Sequence, residues 1–235
     1  MDYELKGDVP FPMALVHLNA NDKVQIENGS MIYFNNSVSL DGHLNSNGKK
    51  GLGGLMSAIG RGVTSGESMF ITTATSSADG GEIAVAPGNP GVIQELEVNA
   101  NQQWRLNTGA FLASDESVSY NMVRQKISGA LFGGTGGFFI METRGTGVML
   151  VSAYGDLIPL DLTDAKDYAI DNDHVVAWSQ NLDYNIEPAS GIVGFKTGEG
   201  LVTRFSGTGR VYVQTRNLQA LADLLKPLLP TNNSN

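Results

Sequence analysis

"GTGVMLV" spans Gly145–Val151, and "GTGRVYV" spans Gly207–Val213. Upstream of each phrase lies an 18-residue segment, "QWRLNTGAFLASDESVSY" (Gln103–Tyr120) and "DYAIDNDHVVAWSQNLDY" (Asp167–Tyr184), and a third, "KVQIENGSMIYFNNSVSL" (Lys23–Leu40), aligns with both without a gap. Apolar residues recur at Val24, Trp104 and Tyr168, and two positions on at Ile26, Leu106 and Ile170. A polar turn follows in each: Glu27-Asn28-Gly29, Asn107-Thr108-Gly109, Asp171-Asn172-Asp173. Apolar runs resume at Met31-Ile32, Phe111-Leu112 and Val175-Val176. A period of two broken by a short polar cluster reads as strand, tight turn, strand.

A second strand pair is expected to bracket each glycine phrase. Glycine supplies a positive φ at little steric cost, so the GTG phrases read as hairpin turns. In the first copy the turn has drifted to "SADGG", Ser77–Gly81. Phe70, Phe139 and Val202 are expected in like places, and Ile83, Val148 and Arg210 follow the turns. The pattern predicts an all-β fold of three tandem antiparallel β-sandwich-like repeats, roughly 1–98, 99–162 and 163–216, in a single compact unit. A short helix over 217–229 is expected to close the chain. There Leu218, Leu221, Leu224, Leu225 and Leu228 sit at helical spacing, Asn217 caps the start, and Pro227 ends or kinks the element. This helix is expected to pack on the sheets.

Charged residues make up 17% of the 235, below the usual quarter, so little charged surface is available and part of it is expected to be covered by a partner or by further copies. The net charge of −9 argues against nucleic acid, whose affinity rests on Lys and Arg neutralising phosphates. Without cysteine, disulfides, thiolate metal sites and cysteine nucleophiles are excluded. The opening "MDYELKGDVPFPMALVHLNA" has no basic region followed by an apolar one, and no run approaches 18 apolar residues. A cytoplasmic location is expected.

Candidate chemistry is sparse. His17, His43 and His174 form no local ligand pair. His174 aligns with Ser30 and Ala110, as a tolerant turn flank would. Glu27, Asp171, Glu67 and Glu199 are the acidic candidates, and turn chemistry accounts for them. The glycine-rich stretches match neither a P-loop nor a dinucleotide fingerprint, and no nucleophile elbow is present. No catalytic, cofactor-binding or metal-ligating residue is assigned, and the chain reads as a non-enzyme. A partner site is expected in Lys49–Val63, which has no counterpart in the other two copies. Leu52, Leu55, Met56 and Ile59 would form one apolar stripe there, flanked by Lys49, Lys50 and Arg61. Such a stripe docks on a protein or touches a membrane surface; alternatively it folds back over the protein's own core or a neighbouring copy.

The phrases "ENGSMIYF", "GESMF", "IAVAPGNPGVIQEL", "GAFLAS", "GGTGGFFIMETRGTGVMLVSAYGDL" and "GEGLVTRFSGTGRVYVQTR" are spread along most of the chain, from Glu27 to Arg216. In these the sequence resembles the family named for altered inheritance of mitochondria. The resemblance implies a fold similar to the tryptophan RNA-binding attenuator protein, a small antiparallel sandwich that assembles edge to edge. It implies three such units per chain and a homo-oligomer, often a trimer. RNA binding does not carry over, because no Lys or Arg set recurs at equivalent places. The function expected is a non-catalytic oligomeric β scaffold or interaction protein, with a protein partner that the sequence does not name. The alternative is a small-molecule-binding protein or enzyme with a pocket between repeats.

Overall fold

The computed structural model describes residues 1–45, 69–124, 139–190 and 200–229. The predicted alternation appears as strands. β3 (Lys23–Glu27) buries Val24 and Ile26 and turns Lys23 and Gln25 outward. β9 (Trp104–Asn107) buries Trp104 and Leu106 in the same way. The polar turns follow where expected, as a turn at residues 28–29 and as 3-10 turns at Thr108–Ala110 and Asn172–His174. β4 (Met31–Phe34), β10 (Phe111–Asp115) and β15 (Val175–Ser179) come next.

These turns do not close hairpins. The first sheet runs β1 (Asp2–Lys6), β2 (Met13–Leu18), β7 (Gly81–Val85), β4. The second runs β5 (Val38–Asn45), β6 (Met69–Ser76), β3, β10, β13 (Gly147–Tyr154), β8 (Gly91–Val98). The third runs β11 (Val118–Arg124), β12 (Phe139–Gly145), β9, β15, β17 (Leu201–Gln214), β14 (Leu157–Asp171), with β16 (Asp183–Ser190) also on β17. So β3 and β4 stand in different sheets, as do β9 and β10. In the first two copies the polar turn is a corner that hands the chain from one sheet to another; in the third, β14 and β15 lie in one sheet, on either side of β17. Every pairing between named strands is antiparallel.

The GTG phrases are corrected in the same sense. β12 pairs with β11 and β9, whereas β13 pairs with β10 and β8, so Gly145-Thr146-Gly147 carries the chain across sheets. Gly207-Thr208-Gly209 lies inside β17. Before it β17 faces β16, and beyond it β17 faces β15. Gly145 and Gly207 have φ of 96° and 109°. That conformation swings a strand onto a new partner without reversing it. A side chain at Gly145 would set its Cβ 2.2 Å from the Ser117 carbonyl oxygen.

The registers also move two sequence alignments by one residue. Glu27, Asn107 and Asp171 face Ile71, Ile140 and Val202, so Leu201, not Val202, stands where Phe70 and Phe139 stand. Phe34, Ser114 and Trp178 face Ile83, Met149 and Val211, so Ile83 corresponds to those two residues and not to Val148 and Arg210. Counting from the glycines slips here because the turn before β7 is longer and ends on two of them.

Side chains from successive sheets fill three apolar clusters, centred on Phe111 and Met149, on Ile26 and Ile83, and on Trp178 and Phe205. Each large buried side chain contributes on the order of 2–3 kcal/mol. After β17, Thr215 N–H donates to Asp156 O and Arg216 N–H to Tyr154 O. Helix α1 (Leu218–Leu225) then begins, with Asn217 Oδ1 accepting the Ala220 N–H at 2.7 Å. Pro227 sits in the 3-10 turn Lys226–Leu228 that ends it. The cap and stop are as predicted, but the packing is not: no residue of α1 is buried, and Leu218, Leu224, Leu225 and Leu228 are exposed. The chain is pinned through the backbone of residues 215 and 216 and through the Asn217 side chain on His174, and of the leucine stripe only Leu221 is half-buried.

Candidate functional site

Two clefts and one exposed strand are the places where the fold presents chemistry. The larger cleft, about 610 Å³, is lined among others by Glu95, Trp104, Asp161, Ser179, Arg210 and Tyr212. The period of two along β8 keeps Leu96 inward and Glu95 and Glu97 outward. Across the cleft Arg210 donates to both Asp161 carboxylate oxygens, at 2.6 and 3.0 Å, and lies over the Tyr212 ring, 5.9 Å from its centroid. The guanidinium holds the Asp161 carboxyl below its ordinary range, and the carboxylate holds Arg210 above its own. Glu95 accepts the Tyr3 hydroxyl proton at 2.7 Å. Burial, reinforced by that carboxylate, pushes the phenol up to about 12. Trp104 Nε1 donates to the Glu97 carbonyl at 2.8 Å, and its ring is tilted against Tyr212 at 5.6 Å.

The smaller cleft, about 550 Å³, is lined by Asp167, Asp183, Tyr184, Asn185, Glu187, Arg204 and Ser206. Arg204 Nε donates to Glu187, and Asn185 Nδ2 donates to the other oxygen of the same carboxylate at 3.0 Å. Nearby, Arg105 stacks on Tyr184 at 5.0 Å, donates to Glu142 at 2.8 Å, and donates to the carbonyls of Gln180 and Leu182 at 3.0 Å each. In both clefts the cations sit on carboxylates, an arrangement that positions strands and can accept a polar ligand at its rim.

The turn residues divide. Asn107 Nδ2 donates to Asn172 O and Val175 O, and Asp171 Oδ1 accepts the Asp173 N–H at 2.9 Å, so both hold their corners. Glu27, at the matching position, is half-buried, and desolvation pushes its carboxyl up to about 7. No sequence signal announces this, because Glu27 looks like any acidic turn residue. His174 is not a tolerant flank. Its Nδ1–H donates to Gln214 O at 2.7 Å and its Nε2 accepts from Asn217 Nδ2 at 2.9 Å, which ties the third corner to the cap of α1. His17 lies 3.5 Å from Glu4 Oε1 and 3.8 Å from Glu82 Oε1, and His43 lies in β5. Among the described residues no three His, Asp or Glu gather as a metal site would require, and no helix is long and apolar enough to cross a membrane. Glu67, Glu199 and the candidate stripe Leu52, Leu55, Met56, Ile59 and Arg61 lie outside the described residues.

Sequence reading passed over β4 as an interaction element. Met31, Ile32, Tyr33 and Phe34 are all exposed, although each is apolar or aromatic. Alternation alone cannot reveal this, since the same pattern in β10 and β15 is buried.

A family model described as "Mitochondrial biogenesis AIM24" matches residues 3–216. The chain belongs to the AIM24 family. An uncharacterised protein of Streptococcus pyogenes serotype M6 is 45% identical over 235 residues, covering all of this chain and 93% of that one. A Streptococcus pyogenes protein solved by X-ray crystallography is 40% identical, with a TM-score of 0.79 over 97% of this chain and 99% of its own. The AIM24 match reaches from β1 through the end of β17 and stops one residue before Asn217, so both clefts and β4 lie within it and α1 lies outside.

Proposed function

We propose that the chain is a non-catalytic, self-associating β scaffold made of three copies of one unit. In this reading we draw the units as β2–β7, β8–β13 and β14–β17, which differ from the expected divisions at 98/99 and 162/163, with β14 and β17 each supplying two strand segments to the last. The observation that carries this reading is a bulge recurring at one place. It falls between Met31 and Tyr33 against β7, between Phe111 and Ala113 against β13, and between Val175 and Ala177 against β17. A bulge changes which face every later side chain takes, so three at equivalent positions with equivalent partners argue for one ancestral unit. The non-catalytic part rests on the clefts, where Arg210 and Arg204 are held by Asp161 and Glu187. The working form in this reading is a homo-oligomer, a trimer first among the candidates, in the cytoplasm and with a protein partner.

One observation favours a second reading. Trp104 and Tyr212 meet beside an open cleft of about 610 Å³, a volume within the range of small-molecule sites. A thermal-shift screen of metabolites, run on the wild type and on Arg210→Ala, separates the two. Scaffold function predicts no ligand that loses its shift in the variant, together with specific protein partners on co-purification from the native cell. A ligand that stabilises the wild type by several degrees and the variant not at all overturns the scaffold reading.

A further inference from the structure

The first polar corner carries chemistry that neither cleft uses. Ser30 N–H donates to Glu27 O at 3.2 Å, which closes a four-residue turn with Asn28 and Gly29 at its centre. Gly29 has a φ of 84° while Asn28 keeps a negative one, so the turn is of type II. Both central residues are exposed. The peptide between them takes no part in the closing hydrogen bond. Among the described residues neither the Asn28 side-chain amide nor the Gly29 N–H has a hydrogen-bond partner. A Cβ at Gly29 would meet nothing within 4 Å, so the space beside this peptide is open.

We infer that Asn28 is a modification site, at which the chain converts its own side-chain amide to a carboxylate through a cyclic imide. The electrophile is Asn28 Cγ, and the nucleophile is the main-chain nitrogen of Gly29. Solvent base takes the Gly29 amide proton, and the nitrogen's electron pair forms a bond to Cγ. The Cγ–Nδ2 bond breaks, and ammonia leaves with a proton returned from solvent. The five-membered ring then takes up one water. Opening at Cγ leaves an aspartate; opening at the main-chain carbonyl carbon leaves an isoaspartate, with the chain running through the former side chain. In both, one water is consumed and one ammonia released, and nothing is oxidised or reduced. Glycine matters because the attacking nitrogen has to turn toward Cγ, and a Cβ on its residue narrows both that rotation and the approach.

The fold singles this residue out from its counterpart. In the third corner Asn172 holds the place of Asn28, but it is 3% exposed and its Oδ1 accepts the Thr203 hydroxyl proton at 3.0 Å. The next nitrogen along, Asp173 N–H, is bound to Asp171 Oδ1 at 2.9 Å, so electrophile and nucleophile are both tied. Asn107 in the second corner spends its amide on Asn172 O and Val175 O. Among the described residues Asn28 is the one asparagine followed by glycine. The change adds a negative charge beside Glu27, and a like charge favours the protonated form of that carboxyl. The isoaspartyl product also adds one methylene to the backbone between β3 and β4. β3 is held on both sides by β6 and β10, whereas β4 pairs with β7 alone among the described residues, so the loosening falls on β4.

Ageing the full chain in mildly alkaline buffer made with heavy-oxygen water, followed by peptide mapping with mass spectrometry, tests this. The peptide carrying Asn28 is expected to gain a carboxylate bearing the heavy oxygen, in aspartyl and isoaspartyl forms. Its rate should lie within about tenfold of that of a free synthetic peptide of residues 26–32, and at least about tenfold above the rate at Asn172. Gly29→Ala is expected to slow the reaction by roughly tenfold. Asn28→Ser, which has no amide, should show none of it while keeping the far-ultraviolet dichroism of wild type. Hydrogen exchange in β4 should rise several-fold in the aged wild type but not in aged Asn28→Ser, with β3 and β10 unchanged in both. An Asn28 amide that survives while the free peptide loses its own overturns the proposal. So does heavy oxygen arriving at Asn172 as fast as at Asn28, and equal rates in wild type and Gly29→Ala overturn the cyclic route.

Discussion

Glu27 gives the protein an acid–base dependence. Its carboxyl is pushed up to about 7 in the fold, from an ordinary value of 4.5. The folded chain therefore holds a proton that the unfolded chain has released. Its contribution is fully present below about pH 4.5 and is lost as pH climbs through about 7. Glu27→Gln mimics the protonated acid, so the variant is expected to match wild type in urea unfolding at about pH 4, below the unfolded value. At pH 8 it should exceed wild type by on the order of 1 kcal/mol, a figure reduced for the part of the side chain that water reaches. A smaller residue makes a second case. Ser114 is fully buried in β10, and its hydroxyl has no hydrogen-bond partner among the described residues. Ser114→Ala is expected to be neutral or to stabilise by about 1 kcal/mol in the same unfolding measurement, since it removes an unpaired buried polar atom. Neither feature was legible in the sequence, because Glu27 and Ser114 owe their surroundings to strands distant in the chain.

At the scale of the element, alternation was a sufficient guide to where strands lie. Residues 103–120 and 167–184 match strand for strand, with a short 3-10 turn at the polar cluster in each. The course of the chain after each strand was not legible. Turn residues report that the chain bends, and the same Gly, Asn and Asp serve a hairpin and a corner between sheets. Gly145 and Gly29 both stand at corners, yet they differ in what a side chain would meet. Both have positive φ, but a Cβ at Gly29 meets nothing within 4 Å, whereas at Gly145 it meets the Ser117 carbonyl. Gly29→Ala is expected to cost about 1 kcal/mol and Gly145→Ala roughly 2–4 kcal/mol in chemical denaturation. The C-terminal helix was legible in its cap and stop but not in its placement. Asn217→Ala removes the cap and the bond to His174 together. Hydrogen exchange over residues 218–225 should rise several-fold while exchange in β9, β10 and β15 stays unchanged, since no residue of α1 belongs to the core.

For the whole molecule, repetition in the sequence pointed to three units but not to which strands pair with which. The proposed units are not separable domains. Residues 91–156 cut out alone would leave β10 without β3 and β9 without β15, splitting the fragment between two incomplete sheets. That fragment is expected to be unfolded by far-ultraviolet dichroism, and the full chain to unfold in one transition. Partner strands escape a linear reading because each joint is long-range.

The joint between β3 and β10 also bears on how such a chain is enlarged. A lone unit would carry one strand ahead of its corner and one behind it, both unsatisfied. Fusing a second unit to the first satisfies one of each and adds one of each, so the valence of the product is still two. In the proposed three-unit reading, tandem duplication lengthens the gene without altering the terminal surfaces.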